Sequence, residues 1–182
     1  MASEKENMLG GLPHFPSDPA LSEERQRTRR FLRNFNATEY KEPVVYREAL
    51  AQLLPNCQSD IFVVPPFYCD YGYNIYAGHN VYFNYNCVAL DSGIITIVNN
   101  TMFGLGVHIY AVTHPTDAME RRKDVEICKK VSIGDDCWIG GHAVILPGVS
   151  IGHRCIVGAG AVVTGDVSDD TTVVGNPAKP QK

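Results

Sequence analysis

From Val131 to Val167 the chain reads VSIGDDCWIGGHAVILPGVSIGHRCIVGAGAVVTGDV. Within it Ile133, Ile139, Ile145, Ile151, Val157 and Val163 recur every six residues without a break. Four positions after each stands a compact residue: Cys137, Ala143, Val149, Cys155, Ala161 and Val167. Glycine follows the aliphatic residue at Gly134, Gly140, Gly152 and Gly158. A period of six belongs to stacked repeats in which each unit is a short strand plus a turn. The aliphatic residue points inward. The residue four on also lies inside, where the turn is tight, and so must be small. Three units close one triangular coil, and stacked coils bury a continuous core.

Working outward, Ile97, Phe103 and Ile109 keep the period, with Thr101 and Val107 in the four-on slots. Ala77 and Phe83 continue it more weakly, with Val81 and Cys87. The pattern predicts a mainly β fold, a parallel β-helix over 61–182, and its small four-on residues resemble the left-handed form. A polar stretch from Thr113 to Lys130 breaks the repeat and predicts an extruded loop over 113–130, the kind of insertion that is usually functional or disordered. Residues 1–60 have a different character and predict an N-terminal helical segment. Asp18-Pro19 reads as a cap with proline at the first helical position. Leu21, Phe31, Leu32 and Phe35 supply part of an apolar face, and a run of arginines from Arg25 to Arg33 covers much of the rest. A second short helix is expected from Val44 to Leu54, ended by Pro55.

Composition narrows the function classes. The chain has 182 residues and a net charge of −4, which suits one domain and argues against a general nucleic-acid binder. No apolar run approaches the roughly 20 residues of a membrane helix. The polar N-terminus lacks an apolar signal core. Six cysteines without close pairing read as reduced thiols in a cytoplasmic setting. Cys87, Cys137 and Cys155 fall in small-residue slots and are expected to pack.

The chemistry-bearing residues are few. His114 stands where the loop leaves the coils, outside the inward slots, and suits a general base. Glu126, near the far end of the loop, is placed to return and support the ring; a surface histidine with an unrelated glutamate fits the same spacing. Asp18, Asp70, Asn84 and Asp91 flank apolar residues, and Tyr82 belongs to a tyrosine-rich stretch from Tyr68 to Tyr85. Such groups suit sugar recognition, and equally suit turns and packing. There is no phosphate-binding G-x-x-x-x-G-K-[ST] loop, no G-x-S-x-G elbow and no C-x-x-C pair. His14, His79, His108, His142 and His153 remain, which leaves open a metal site shared between subunits.

Several blocks together carry a resemblance: Pro65-Pro66-Phe67-Tyr68-Cys69-Asp70-Tyr71-Gly72 with Asn74-Ile75, Asn84-Tyr85-Asn86-Cys87 with Leu90-Asp91, Thr113-His114-Pro115, Ile133-Gly134-Asp135-Asp136 with Trp138-Ile139-Gly140-Gly141, and Gly175-Asn176-Pro177-Ala178. In this order they resemble the maltose and galactoside O-acetyltransferases, a family that includes nodulation acetyltransferases. The resemblance implies a left-handed β-helix assembled as a homotrimer, with acetyl-CoA bound between subunits and acetyl passed to a sugar hydroxyl without a metal. It implies that His114 is the catalytic histidine and that Asp18, Arg25, Asp70, Asn84 and Asp91 surround the acceptor. It further implies that Trp138, Gly141, Ala159 and Thr164 line the CoA groove, that the Gly141 N–H serves the oxyanion, and that Lys179 and Lys182 meet the nucleotide phosphates. The chain departs from the family at Gly165, where lysine is common, and at Lys179, where arginine is common. Two other readings use the same scaffold: a zinc-dependent carbonic anhydrase with three histidines at a subunit interface, and a non-catalytic β-helix.

Overall fold

A computed structural model describes residues 2–38 and 42–181. The expected left-handed β-helix is the fold, a solenoid of about six turns preceded by helices. Its strands form three parallel sheets, here called faces 1, 2 and 3 in the order the chain meets them. Face 1 runs from Phe62–Val63 through Tyr82–Phe83, Met102–Phe103, Trp138–Ile139 and Ile156–Val157 to Thr172–Val174, closed by antiparallel Lys179–Pro180. Face 2 stacks Phe67–Cys69, Cys87–Leu90, His108–Tyr110, Val144–Ile145 and Val162–Val163. Face 3 stacks Ile75–Ala77, Ile95–Ile97, Val131–Ile133 and Ser150–Ile151.

The inward register is the one the period requires. Ile133, Ile139, Ile145, Ile151, Val157 and Val163 are all buried, and so are Cys137, Ala143, Val149, Cys155, Ala161 and Val167. The upper coils fill their wider interior with rings: Phe83 stacks on Phe103 at 4.4 Å between centroids, and Phe67 meets Phe83 edge-on. Burying each such ring contributes about 1.5–3 kcal/mol. The residue just before the four-on slot takes the left-handed conformation. Asn80, Asn100, Asp136 and Asp170 have φ between 54° and 59° there, residues whose short polar side chains tolerate it.

Departures from six collect at one corner, the turn from face 2 to face 3. Pairing shows this directly: Val63 lies on Phe83, Ile109 on Ile145, Ile133 on Ile151, and Ile151 on Val167. Between inward residues this turn runs from Cys69 to Ile75, from Ala89 to Ile95, from Ile109 to Val131 and from Ile145 to Val149. The turn from face 1 to face 2 keeps one length in each, as from Val63 to Phe67 and from Ile139 to Ala143. Insertion at a single corner lengthens the surface without moving the core register.

Three helices precede the coils: α1 (Glu4–Leu9), α2 (Pro19–Asn36) and α3 (Pro43–Leu53). The expected second helix therefore lies one residue earlier at each end. α1 was not foreseen, although Ser3 and Glu6 form a reciprocal capping box that the sequence displays. Leu32 and Phe35 of α2 and Tyr46, Leu50 and Leu53 of α3 join the same core as the first coils. No helix among the described residues is long and apolar enough to cross a membrane.

Candidate active site

The extruded segment leaves face 2 as a hairpin. Val112–Thr113 pairs antiparallel with Ile127–Cys128, and the tip carries a short helix α4 (Ala118–Arg121) capped by Asp117. The N-terminal segment straps this hairpin from outside, because His14 forms a two-way backbone bridge with Glu126. Met8 of α1 packs beneath it with Leu21, Tyr71 and Cys128.

His114 follows the outgoing strand and is 54% exposed. Its Nδ1 lies 3.2 Å from the carbonyl oxygen of Val125. A carbonyl only accepts, so Nδ1 donates and Nε2 keeps its lone pair. Glu126 Oε1 lies 3.9 Å from that Nε2, an ion-pair distance rather than a hydrogen bond. Burial pushes the Glu126 carboxyl above its ordinary range, and the neighbouring His114 works against that shift.

Asp70 begins the first turn of the same corner, two coils before the hairpin. Burial raises its pKa, and Arg25 and Arg29 of α2 oppose the rise. Arg25 donates to the hydroxyl of Tyr71 at 2.6 Å and to the carbonyl of Pro16, so it ties α2 to this corner. Asp18 accepts from the N–H groups of Ala20 and Leu21 and caps α2. Asp91 requires a correction. It is 0% exposed, and one carboxylate oxygen accepts from the N–H groups of Asp70 and Tyr71 at 2.9 and 2.8 Å. The other oxygen receives the Asn74 N–H. Burial pushes it up to about 7, with those N–H groups pulling the other way. A carboxylate enclosed in this way holds the Asp70 turn in shape and presents nothing to an acceptor.

Asn84 and Tyr82 lie elsewhere in the chain's own fold. Tyr82 stacks on Phe62 on face 1, and Asn84 begins the turn from face 1 to face 2, where its side chain accepts from the Tyr85 N–H. The width of face 2 separates that corner from the one bearing His114. Trp138, 53% exposed, stands on face 1 between Met102 and Ile156. Gly141 and Ala159 occupy one slot of the face 1 to face 2 corner in successive coils, with Leu105 in the coil before. Among the described residues no acceptor meets the N–H groups of Leu105, Gly141 or Ala159. This file of open amides is a feature that sequence reasoning noticed only at Gly141. Thr164, Gly165 and Lys179 together line a cleft of about 280 Å³ at the far end of face 2. Lys182 lies outside the described residues.

Two hollows of the single chain, about 760 Å³ beside Arg29, Arg33 and Tyr68 and about 350 Å³ beside Arg47 and Leu54, are not lined by His114. The thiols offer no nucleophile: burial pushes Cys57 and Cys128 up to about 12 and Cys87 up to about 11. Within this one chain no three His, Cys, Asp or Glu among the described residues gather for a metal.

Comparison with known proteins adds a second line. A family model described as bacterial transferase hexapeptide (six repeats) matches residues 130–165, and the maltose acetyltransferase hexapeptide capping motif matches residues 7–58. The chain is 44% identical to nodulation protein L of Rhizobium leguminosarum bv. viciae, covering 97% of this chain and 93% of that one. A maltose O-acetyltransferase from Clostridium difficile 630 superposes with a TM-score of 0.96 at 40% identity, over 100% of this chain and 97% of that one. A hexapeptide-repeat acetyltransferase from Vibrio cholerae O1 biovar eltor, solved with acetyl coenzyme A, superposes with a TM-score of 0.88 at 32% identity, over 100% and 98%.

Proposed function

The chain belongs to the maltose and galactoside O-acetyltransferase family of hexapeptide-repeat proteins, and on that premise we propose that it moves an acetyl group from acetyl-CoA to a sugar hydroxyl with His114 as general base. The observation that carries the reading is the contact of His114 Nδ1 with the Val125 carbonyl oxygen at 3.2 Å. In the neutral ring that contact assigns the proton to Nδ1 and leaves Nε2 to act as base, at an exposed edge that a substrate can reach. Nε2 takes the acceptor hydroxyl proton as that oxygen bonds to the thioester carbonyl carbon. The Gly141 N–H, which has no acceptor of its own among the described residues, is the donor we assign to the oxyanion. When the carbon–sulfur bond breaks, the imidazolium returns its proton to the departing thiolate. No acetyl-enzyme forms, and alignment of the two substrates supplies much of the rate.

The candidate residues lie at two corners of one chain, His114 with Asp70 at one and Asn84 with Gly141 at another. A complete site then needs the Gly141 corner of one copy against the His114 corner of the next. A closed ring of such heterologous contacts is our reason for a homotrimer. The relatives named for sugars, and the ringed tyrosines near Asn84, support a sugar acceptor.

The test is His114→Ala, assayed for acetyl transfer to glucose, maltose, galactosides and amino sugars beside a CoA titration. We expect kcat to fall about 10²–10⁴-fold with CoA binding retained. A wild-type rate overturns the general-base reading, and loss of CoA binding assigns His114 to binding instead.

A further inference from the structure

Behind Glu126 stands a second histidine. The His14 N–H donates to the Glu126 carbonyl at 3.1 Å, and the Glu126 N–H donates back to the His14 carbonyl at 3.0 Å. The two residues are locked side by side by their backbones. The His14 side chain is 0% exposed, and neither ring nitrogen has a hydrogen-bond partner among the described residues. Its Nε2 lies 3.7 Å from Glu126 Oε2, while the other oxygen of that carboxylate lies 3.9 Å from His114 Nε2. The carboxylate therefore stands between a buried imidazole and the exposed one. Buried polar groups are nearly always paired, so an orphaned ring facing a carboxylate asks for a reason.

We propose that His14 is a positioning residue for acetyl transfer, its ring N–H holding the Glu126 carboxylate ionised and aimed at His114. Burial pushes the His14 pKa down, with the Leu12 and Glu126 backbone and Glu4 pulling the other way, and a neutral ring offers one N–H and one lone pair. His14 Nε2 faces the carboxylate across 3.7 Å, so an N–H on that nitrogen points its charge at Glu126. A donor on the buried side offsets the burial that favours the protonated carboxyl, and leaves the opposite oxygen to meet the imidazolium formed when His114 takes its proton. Arg25 acts on Glu126 in the same sense, while Asp70 and Asp124 act against it. The N-terminal strap thus reaches the reacting atoms through two side chains, although it touches neither substrate. The inference rests on the reading of His114 as the base.

The test compares His14→Phe, which fills the space without a donor, with His14→Gln, which keeps an N–H. Each is made in the wild-type and the Glu126→Gln backgrounds. We expect His14→Phe to lower kcat roughly 10-fold, within the range of coupling between contacting residues, with the acetyl-CoA KM and the melting temperature unchanged. His14→Gln should recover most of the rate, and His14→Phe should cost nothing further once Glu126 is Gln. A wild-type kcat for His14→Phe, an equal loss in both backgrounds, or a loss that Gln does not relieve overturns the inference. If His114→Ala is inactive while His14→Phe is not impaired, only this inference fails. If His114→Ala is fully active, the reading beneath it fails.

Discussion

Two corners of the same coil treat the same backbone atom in opposite ways. At the turn from face 3 to face 1, the slot two residues after the inward aliphatic is polar in every coil: His79, Asn99, Asp135, His153 and Asp169. From Asn99 onward each side chain takes the N–H of the slot residue one coil earlier. His79 N–H donates to Asn99, Asn99 to Asp135, Asp135 to His153 Nδ1, and His153 to Asp169, at 2.8 to 3.1 Å. At the turn from face 1 to face 2 the equivalent slot holds Tyr85, whose N–H goes to the Asn84 side chain beside it, and then Leu105, Gly141, Ala159 and Gly175, none of which has a side-chain acceptor among the described residues. From Leu105 on, its amides stay open. One repeat thus builds a sealed edge and an edge able to bind an extended acceptor-rich ligand, and the choice lies in one residue per coil.

The strongest way to break this contrast is to seal the open corner. In Ala159→Asn the new side chain has the place to take the Gly141 N–H, the donor assigned to the oxyanion, as Asn99 takes the N–H of His79. We expect kcat/KM for acetyl-CoA to fall about 10²–10³-fold, the scale of a lost oxyanion donor, with no loss of melting temperature. Wild-type kinetics would show that the open amides do not face the thioester. Next in size is the core beneath that corner. Ala143 and Ala161 are fully buried in the four-on slot, and leucine at either should cost roughly 1–3 kcal/mol of unfolding free energy by overpacking. Unchanged denaturation midpoints for both variants would contradict the inward register.

The sealed corner should respond in stability and not in rate. Asp135 has its pKa lowered, first by the Asn99 N–H and then by the Asn99 side chain. A carboxylate whose folded pKa lies below its ordinary 3.8 stabilises the fold fully above that value and loses the contribution as pH falls through the folded value. Asp135→Ala should lower the melting temperature at pH 7 modestly, with the difference from wild type shrinking below pH 3.8, and should leave kcat alone. A rate loss would mean that this edge also serves the site.

How far the sequence discloses this depends on whether the controlling interaction is local. The register from Ile133 to Val163 is legible because aliphatic and small residues report directly which side is inside. α2 is legible through Asp18 and Pro19. His114 stands out because it adjoins the break in the repeat. Asp91 misleads because a turn aspartate that clamps backbone amides and one that binds a ligand look alike until the N–H groups of Asp70 and Tyr71 are located. The open amides are hidden because every non-proline residue carries an N–H, and only the slot comparison between corners distinguishes them. His14 is hidden because its partner, Glu126, reaches it only through the hairpin.

The smallest expected effect concerns the third corner, where face 2 turns toward Val167, which lies on Ile151 of face 3. Gly165 lies there beside Thr164 and Lys179 in the cleft of about 280 Å³. A Cβ at Gly165 would meet nothing within 4 Å, and its φ lies outside the left-handed region, so a side chain enters without strain. Gly165→Lys adds a cation next to the lysine already present in that cleft. A contact with a distant phosphate is made equally in the ground state and the transition state, so it lowers KM and leaves kcat unchanged. An exposed ion pair of this kind is worth about 0.2–1 kcal/mol, which makes the expected fall in the acetyl-CoA KM about two- to fivefold at most, and salt should erase it. An unchanged KM at low salt would remove the phosphates from this cleft. A changed kcat would place the turn nearer the reacting atoms than Thr164 and Lys179 suggest.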